Sequence, residues 1–246
     1  AWRDLQNGSE KMSKVLSRQL SGLSINETQI ISALNKTRLD EKNPSSWSPS
    51  DLYSFCEILR KLAKPMIIAA NKADIAAAES NLQKLRTLDI ESFPCVSEAE
   101  VMLRLGSKKG ILRYLPGDST FEVNPNANLR DVQKNALDKV RGILSKFGST
   151  GVQQILNKVC FELLDMIVVY PVEDENKLMD KKGNVLPDAY LVPRETTAKD
   201  LAGRVHGQLA QGFLYALDVR SKQRLGADYK LKDRDVIKIV SAAGRR

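Results

Sequence analysis

Asn71-Lys72-Ala73-Asp74 has the residue types that read a guanine base, and it follows the apolar run Met66-Ile67-Ile68-Ala69-Ala70, which predicts a buried strand opening into a loop. In open α/β sheets, ligands bind beyond the carboxyl ends of the strands. There the Asp74 carboxylate would accept two parallel N–H bonds, from guanine N1 and the exocyclic N2, a donor pair that adenine lacks. A partly buried acceptor of this kind rejects an analogue that cannot satisfy it by a factor on the order of 10⁴. Asn71 would bond N7 and brace the loop, and the Lys72 stem would lie over the face of the base with its ammonium in water. The same four residues also suit a plain strand-to-helix turn, with Asn and Asp as turn and cap residues.

The surroundings favour the nucleotide reading. A helix predicted over Ile75 to Leu88 leads to Phe93-Pro94-Cys95-Val96-Ser97, a second short apolar segment ending in a small polar residue. That is where a second base loop belongs. In GTPases this loop usually reads Ser-Ala-Lys and aims a backbone N–H at guanine O6. Here it reads Ser97-Glu98-Ala99-Glu100, so Ser97 keeps the pattern, Glu98 departs from it, and the backbone role survives either side chain.

GTP hydrolysis also needs a glycine-rich phosphate loop with a Lys and a Mg²⁺-holding Ser or Thr. No Gly-Lys-Ser/Thr occurs in the sequence. Gly106-Ser107-Lys108-Lys109-Gly110 has the wrong spacing, lies after the base loops and reads as a basic surface turn. Asp180-Lys181-Lys182-Gly183 and Asp200-Leu201-Ala202-Gly203 follow the Asn-Lys-x-Asp loop, whereas a γ-phosphate sensor precedes it; they read as a hairpin turn and as part of a helix. The expectation is therefore the carboxyl-terminal part of a larger GTPase. Ala1-Trp2-Arg3-Asp4 is neither a secretory signal nor a transit peptide, and a processed or unseen amino-terminal half would read the same way.

With 42% hydrophobic and 28% charged residues, the 246-residue chain has the composition of a soluble protein of one large or two smaller domains. No apolar run reaches membrane-spanning length, so no membrane partner is expected. Cys56, Cys95 and Cys160 are odd in number and mostly inside apolar segments, which predicts reduced core thiols and a cytoplasmic location. A net charge of +8 predicts an acidic partner, RNA rather than lipid, against the plainer reading of solubility alone.

Along the chain, residues 1–63 read as a helical insertion. Ser24-Ile25-Asn26-Glu27 reads as a capping box, and Ser48-Pro49-Ser50-Asp51 starts a helix with Leu52, Phe55, Cys56, Leu59 and Leu62 on its apolar face. Residues 64–164 read as the nucleotide-domain segment with both base loops, a helix over Leu129 to Phe147 stopped by Gly148, and another from about Val152 to Leu164. Over residues 165–246 the pattern changes to Met166 to Tyr170 and Ala189 to Val192 as strands, a helix over Ala198 to Leu209, extended chain over Phe213 to Val219, and a closing strand over Val236 to Val240. That order suggests a β-grasp, ubiquitin-like module.

Residues 165 to 243 resemble a TGS domain through Tyr170-Pro171-Val172-Glu173-Asp174, Gly183-Asn184-Val185-Leu186-Pro187-Asp188-Ala189, Thr197-Ala198-Lys199-Asp200-Leu201-Ala202, Val205-His206, Arg224-Leu225-Gly226-Ala227-Asp228-Tyr229 and Asp235-Val236-Ile237-Lys238-Ile239-Val240. Together with Lys64-Pro65 ahead of the apolar run, the Asn-Lys-x-Asp loop and the upstream Gln19-Leu20-Ser21-Gly22-Leu23, the chain resembles the Obg-like GTPases of the YchF-related type found in archaea and some eukaryotes. The resemblance implies an α/β fold, the carboxyl-terminal part of a P-loop GTPase domain with a helical insertion followed by a TGS module. Members of that family bind GTP or ATP, and the bacterial YchF branch departs from Asn-Lys-x-Asp and prefers ATP; keeping the motif puts this sequence on the GTP side. Family members carry the phosphate loop, switch segments and Mg²⁺ ligands ahead of the segment that these 246 residues resemble.

The resemblance further implies a GTP-binding protein associated with the ribosome or structured RNA, with no DNA expected and with Mg²⁺ held by residues outside these 246. This segment alone is not expected to hydrolyse GTP. Lys177, Lys181, Lys182 and Arg194 are the candidate phosphate contacts in the carboxyl-terminal module, although loop lysines are usually solvated charges. His206, the sole histidine, has no nucleophile or metal-type companion. A second reading is a noncatalytic RNA- or ribosome-binding protein that keeps only the base-recognition and TGS parts. A tRNA synthetase fragment has no place for Asn-Lys-x-Asp.

Overall fold

A computed structural model describes residues 10–180 and 182–242. The described residues divide into two compact units, those up to 70 with 79–93, and 71–78 with those from 94 onward.

Among the described residues the first unit starts with the helices α1 (Met12–Gln19), α2 (Glu27–Thr37) and α3 (Pro49–Ala63). Their starts are set by local side-chain chemistry. Ser48 Oγ accepts the Asp51 N–H at 3.2 Å and the Asp51 carboxylate accepts the Ser48 N–H at 2.9 Å, the reciprocal cap read from the sequence. At α2 the box is displaced by two residues. Asn26 caps Gln29 at 2.9 Å and Gln29 answers at 3.0 Å, while Ser24 ends a short 3₁₀ turn, Ser21–Leu23, at φ 58°. Ile30, Ala33 and Leu34 of α2 pack on Phe55 and Leu59 of α3, and Trp47 covers this core with its ring 5.4 Å from that of Phe55. Leu52 and Cys56, placed on that apolar face by the sequence reading, are exposed, because the buried stripe of α3 is narrower than its apolar face. β1 (Ile68–Ala70) pairs with β2 (Ser92–Pro94). Between them, α4 covers only Ala78–Leu85, shorter than the span expected from Ile75, because turns bonded Ile75 to Lys72 and Ala78 to Ile75 come first.

The second unit continues through α5 (Ser97–Lys108), the short antiparallel pair β3 (Leu112–Arg113) and β4 (Glu122–Val123), and α6 (Asp131–Phe147). Gly148 at φ 78° ends α6, with its N–H bonded to the Leu144 carbonyl at 2.8 Å. The glycine- and lysine-rich stretch at 106–110 is less of a turn than its composition suggested. Gly106 to Lys108 belong to α5, and a Cβ at Gly106 would meet the Leu112 side chain at 2.8 Å, so this glycine lets the helix approach β3. The helix expected over Val152 to Leu164 starts as α7 (Val152–Asn157) and passes into a π-helical turn, Lys158–Leu163.

The last part of this unit is a five-stranded sheet in the order β6-β5-β9-β7-β8. β5 (Met166–Val172) lies antiparallel to β6 (Tyr190–Pro193) and parallel to β9 (Val236–Ser241), while β7 (Phe213–Asp218) pairs antiparallel with both β9 and β8 (Arg224–Leu225). α8 (Ala198–Val205) buries Ala198 and Leu201 against Ile167, Val169, Val192, Ala216 and Ile237, which makes the β-grasp core. The fold is thus α/β with a carboxyl-terminal β-grasp module. The helix expected to run from Ala198 to Leu209 breaks at His206, whose φ of −163° is extended and whose Nδ1 accepts the Gln208 N–H at 3.3 Å to start the short α9 (Gly207–Gln211). Of the three cysteines, Cys95 is buried, Cys160 half-buried and Cys56 exposed, so only Cys95 is the core thiol expected of all three.

Candidate functional site

The two loops expected to read a base meet at the Asn71 side chain. Asn71 Oδ1 accepts the N–H of Lys72 at 2.9 Å and the N–H of Ser97, the first residue of α5, at 3.1 Å, with Cys95 Sγ at 3.9 Å. A backbone bond from the Ala73 N–H to the Cys95 carbonyl at 3.1 Å closes the same junction. With its oxygen occupied, Asn71 keeps its amide nitrogen as a donor without a protein partner among the described residues. The brace expected of Asn71 is present, reaching the second loop as well as its own.

Lys72 stands at φ 61° with its side chain exposed, while Ala73 beneath it is 2% exposed. This alternation fixes the loop by burying one methyl and lifts the flanking Lys72 and Asp74 into solvent. Asp74 is exposed rather than partly buried, and its carboxylate makes no hydrogen bond among the described residues. It faces a cleft of about 430 Å³ whose wall includes Val96, Glu98 and Ala99 from the second loop and Asn135 and Lys139 from α6. Glu98 is exposed on the first turn of α5, and Ser97 is half-buried. The N–H groups of Glu98 and Ala99 have no protein acceptor among the described residues, as befits the first turn of a helix. An acceptor such as a purine carbonyl suits those donors, and a donor pair suits Asp74.

Behind the second loop lies a buried network that the sequence reading missed. The Val96 N–H donates to the Thr150 carbonyl at 2.9 Å. Thr150 Oγ1 donates to Glu100 Oε2 at 2.6 Å, Tyr114 Oη donates to the same oxygen at 2.8 Å, and Arg104 Nε reaches Oε1 at 2.7 Å. Glu100 is 4% exposed and Thr150 1%. Burial pushes the Glu100 carboxyl up, but the bonds from Thr150, Arg104 and Tyr114 outweigh it and hold the group below its usual value. Burial, with the Glu100 carboxylate beside it, pushes the Tyr114 hydroxyl up. Gly151, at φ 81°, lies so close under the loop that a Cβ there would stand 2.2 Å from the Pro94 carbonyl oxygen. The only local signals were the i, i+4 spacing of Glu100 and Arg104 and the run Gly148-Ser149-Thr150-Gly151 after a helix.

The basic candidates lie apart from this site. Lys177 and Lys182 are exposed, on turns organised by acceptors. Asp174 takes the N–H groups of Asn176 at 2.8 Å and Lys177 at 3.0 Å, and Asp180 takes those of Lys182 and Asn184, both at 2.9 Å. These bonds hold both carboxyls below their usual range, Asp174 through the backbone of Lys177 and Asn176, Asp180 through the side chain and backbone of Asn184. Gly183, at φ 84°, completes the turn read at 180–183, while Lys181 is outside the described residues. Arg194 pairs with Asp165 at 2.7 Å, so part of its charge is already answered. Among the described residues no helix is long and apolar enough to cross a membrane.

An α/β segment with an Asn-Lys-x-Asp loop, joined to a β-grasp module, has the parts of a TGS-bearing GTPase. Residues 69–174 match the family described as Obg-like GTPase YGR210-like, G4 motif-containing domain, and residues 181–241 match the TGS domain. The chain thus carries an Obg-like GTPase segment with the G4 motif followed by a TGS domain. It is 48% identical over 232 residues to an uncharacterized GTP-binding protein of Methanocaldococcus jannaschii, an alignment covering 94% of this chain and 58% of that protein. It also superposes on the crystal structure of a GTP binding protein from Pyrococcus horikoshii OT3 with a TM-score of 0.68 at 36% identity, covering 98% of this chain and 64% of the other. The chain therefore spans about three-fifths of the length of these relatives.

Proposed function

We propose that this chain supplies the guanine-reading part of a cytoplasmic GTPase, whose phosphate loop and Mg²⁺ ligands are contributed by sequence outside these 246 residues. The observation that carries the reading is the Asn71 bridge to the Ser97 N–H at 3.1 Å, which fixes the two loops together while the Asn71 amide nitrogen, the Asp74 carboxylate and the N–H groups of Glu98 and Ala99 have no protein partner among the described residues. That set complements guanine: Asp74 for N1 and N2, the α5 donors for O6 and Asn71 for N7. Adenine offers an amine to the α5 donors and no donor pair to Asp74. The family assignment and the names of both relatives support GTP as the nucleotide.

Base contacts without phosphate contacts give weak binding, since phosphates and Mg²⁺ supply most of the affinity in this type of site. These 246 residues alone should therefore bind fluorescent GTP no more tightly than tens of micromolar (on the order of 6 kcal/mol) and should turn none of it over. Submicromolar affinity or Mg²⁺-dependent hydrolysis by this chain alone would sink that division of labour.

The same proposal gives the TGS module a role in binding the ribosome or structured RNA, supported by the net charge of +8 and the exposed turns bearing Lys177 and Lys182. Each lost phosphate contact lowers the log–log salt slope by roughly 0.7 to 0.9. Replacing Lys177, Lys181 and Lys182 with Ala should flatten the salt dependence of ribosome cosedimentation and leave thermal stability nearly unchanged. Identical cosedimentation of triple variant and wild type at every salt concentration would remove these lysines from the interface.

A further inference from the structure

The Glu100 carboxylate is too costly a group to bury without a purpose for its bonds, and three donors converge on it. Two of them, Thr150 Oγ1 at 2.6 Å and Tyr114 Oη at 2.8 Å, share Oε2, and Arg104 closes the other oxygen at 2.7 Å. Thr150 is also the residue whose carbonyl receives the Val96 N–H at 2.9 Å, immediately before Ser97. Its neighbour Gly151 packs on Pro94 and Cys95 with no room for a side chain. Tyr114 in turn accepts the Gly117 N–H at 3.2 Å, so the β3–β4 connection is tied into the same cluster. A continuous path therefore runs from Glu100 through Thr150 to Val96, and from Val96 to the first turn of α5.

We propose that Glu100, acting through Thr150, is a positioning residue for purine recognition, which holds the Val96-Ser97 step so that the free N–H groups of Glu98 and Ala99 meet the base carbonyl O6. The proposal rests on the guanine reading and assigns the O6 half of it to a contact between two residues 50 apart in the chain. Asp74 and Glu100 then govern different edges of the base. Asp74 selects for N1 and N2, and the Glu100–Thr150 pair selects for a carbonyl over an amine at position 6. Loosening the second loop should weaken every 6-oxopurine alike and spare 6-aminopurines.

The test uses the complete polypeptide, with GTP, inosine triphosphate and ATP competed against a fluorescent nucleotide. Thr150→Val, which keeps the shape and removes the hydroxyl, should lower affinity for GTP and inosine triphosphate together by about tenfold, with the GTP-to-inosine ratio unchanged and the GTP-to-ATP ratio reduced by the same factor. Thr150→Ser, which restores the hydroxyl, should recover most of the preference. Glu100→Gln should resemble Thr150→Val, and if it does not fold, the Thr150 pair alone decides. A merely structural role would reduce all three affinities equally, and that result overturns the proposal, as does an unchanged GTP-to-ATP ratio in Thr150→Val. Asp74→Asn run beside them keeps the two ideas apart. If Asp74→Asn alters the GTP-to-inosine ratio while Thr150→Val alters nothing, the guanine reading stands and the positioning role is wrong; if neither acts, both fall.

Discussion

Asp74→Asn in the complete polypeptide should lower GTP affinity by roughly 100-fold and turn preference toward xanthosine triphosphate. The carboxylate only accepts, which suits the N1 and N2 donors of guanine; an amide donates from one of its two ends, and xanthine presents a carbonyl where guanine carries N2. A charge-assisted hydrogen bond contributes about 1.5 to 3 kcal/mol, so two lost bonds reach or exceed the 100-fold level. The exposure of Asp74 argues for that level rather than the 10⁴ of a fully enclosed acceptor, since water can partly replace the bonds. Competition binding with both nucleotides checks it. Unaltered GTP affinity and base preference would remove Asp74 from base reading.

Gly151→Ala should be the most damaging small substitution near the site. Its φ of 81° disfavours any Cβ, and the added methyl would stand 2.2 Å from the Pro94 carbonyl oxygen and 2.9 Å from Cys95 Cα, backbone atoms that cannot swing aside. The left-handed conformation costs about 1 to 2 kcal/mol and the forced displacement about 1 to 3 kcal/mol, so the loss should be on the order of 3 kcal/mol. Gly148→Ala is the matched control. Gly148 has a similar φ of 78° with nothing within 4 Å of the added atom, so only the conformational part remains. Thermal melts of the two variants should separate clearly, Gly151→Ala melting lower; coincident melts would mean that the Pro94 contact yields without cost.

The features legible in the sequence were those set by neighbours in the chain. Ser48 and Asp51 are three residues apart and cap each other, Gly148 stops α6 where expected, and the Asn-Lys-x-Asp loop was readable because its four residues are consecutive. Local ambiguity misplaced the α2 cap: Ser24 and Asn26 are both good cap residues, and the 3₁₀ turn at Ser21–Leu23 consumed the first. His206 breaks a helix that its flanking apolar residues would have continued, because the imidazole caps the next turn. The Glu100 network was out of reach for a different reason. Its partners lie at 104, 114 and 150, and nothing in the spacing of Glu100 and Thr150 announces that a strand end and a helix start will bring them within 2.6 Å. The residues proposed to read the base were therefore visible while the contacts behind them were not.

The sheet order β6-β5-β9-β7-β8 places the last strand of the chain in the middle. β5 and β6 form one antiparallel pair and β7 and β8 another, and among the described residues β9 joins them by pairing with β5 and β7. During synthesis the two pairs emerge with no shared edge, and an isolated two-stranded pair is marginally stable at best. The module therefore closes only once Val236 to Ser241 has been made and can pair with both β5 and β7, whatever the first unit has already achieved. A chain cut just before Val236 would lose Ile237 from the core that it shares with Ile167, Val169 and Ala216. β9 is thus what makes one sheet of two separate strand pairs, and without it β5 and β7 would each keep an open edge.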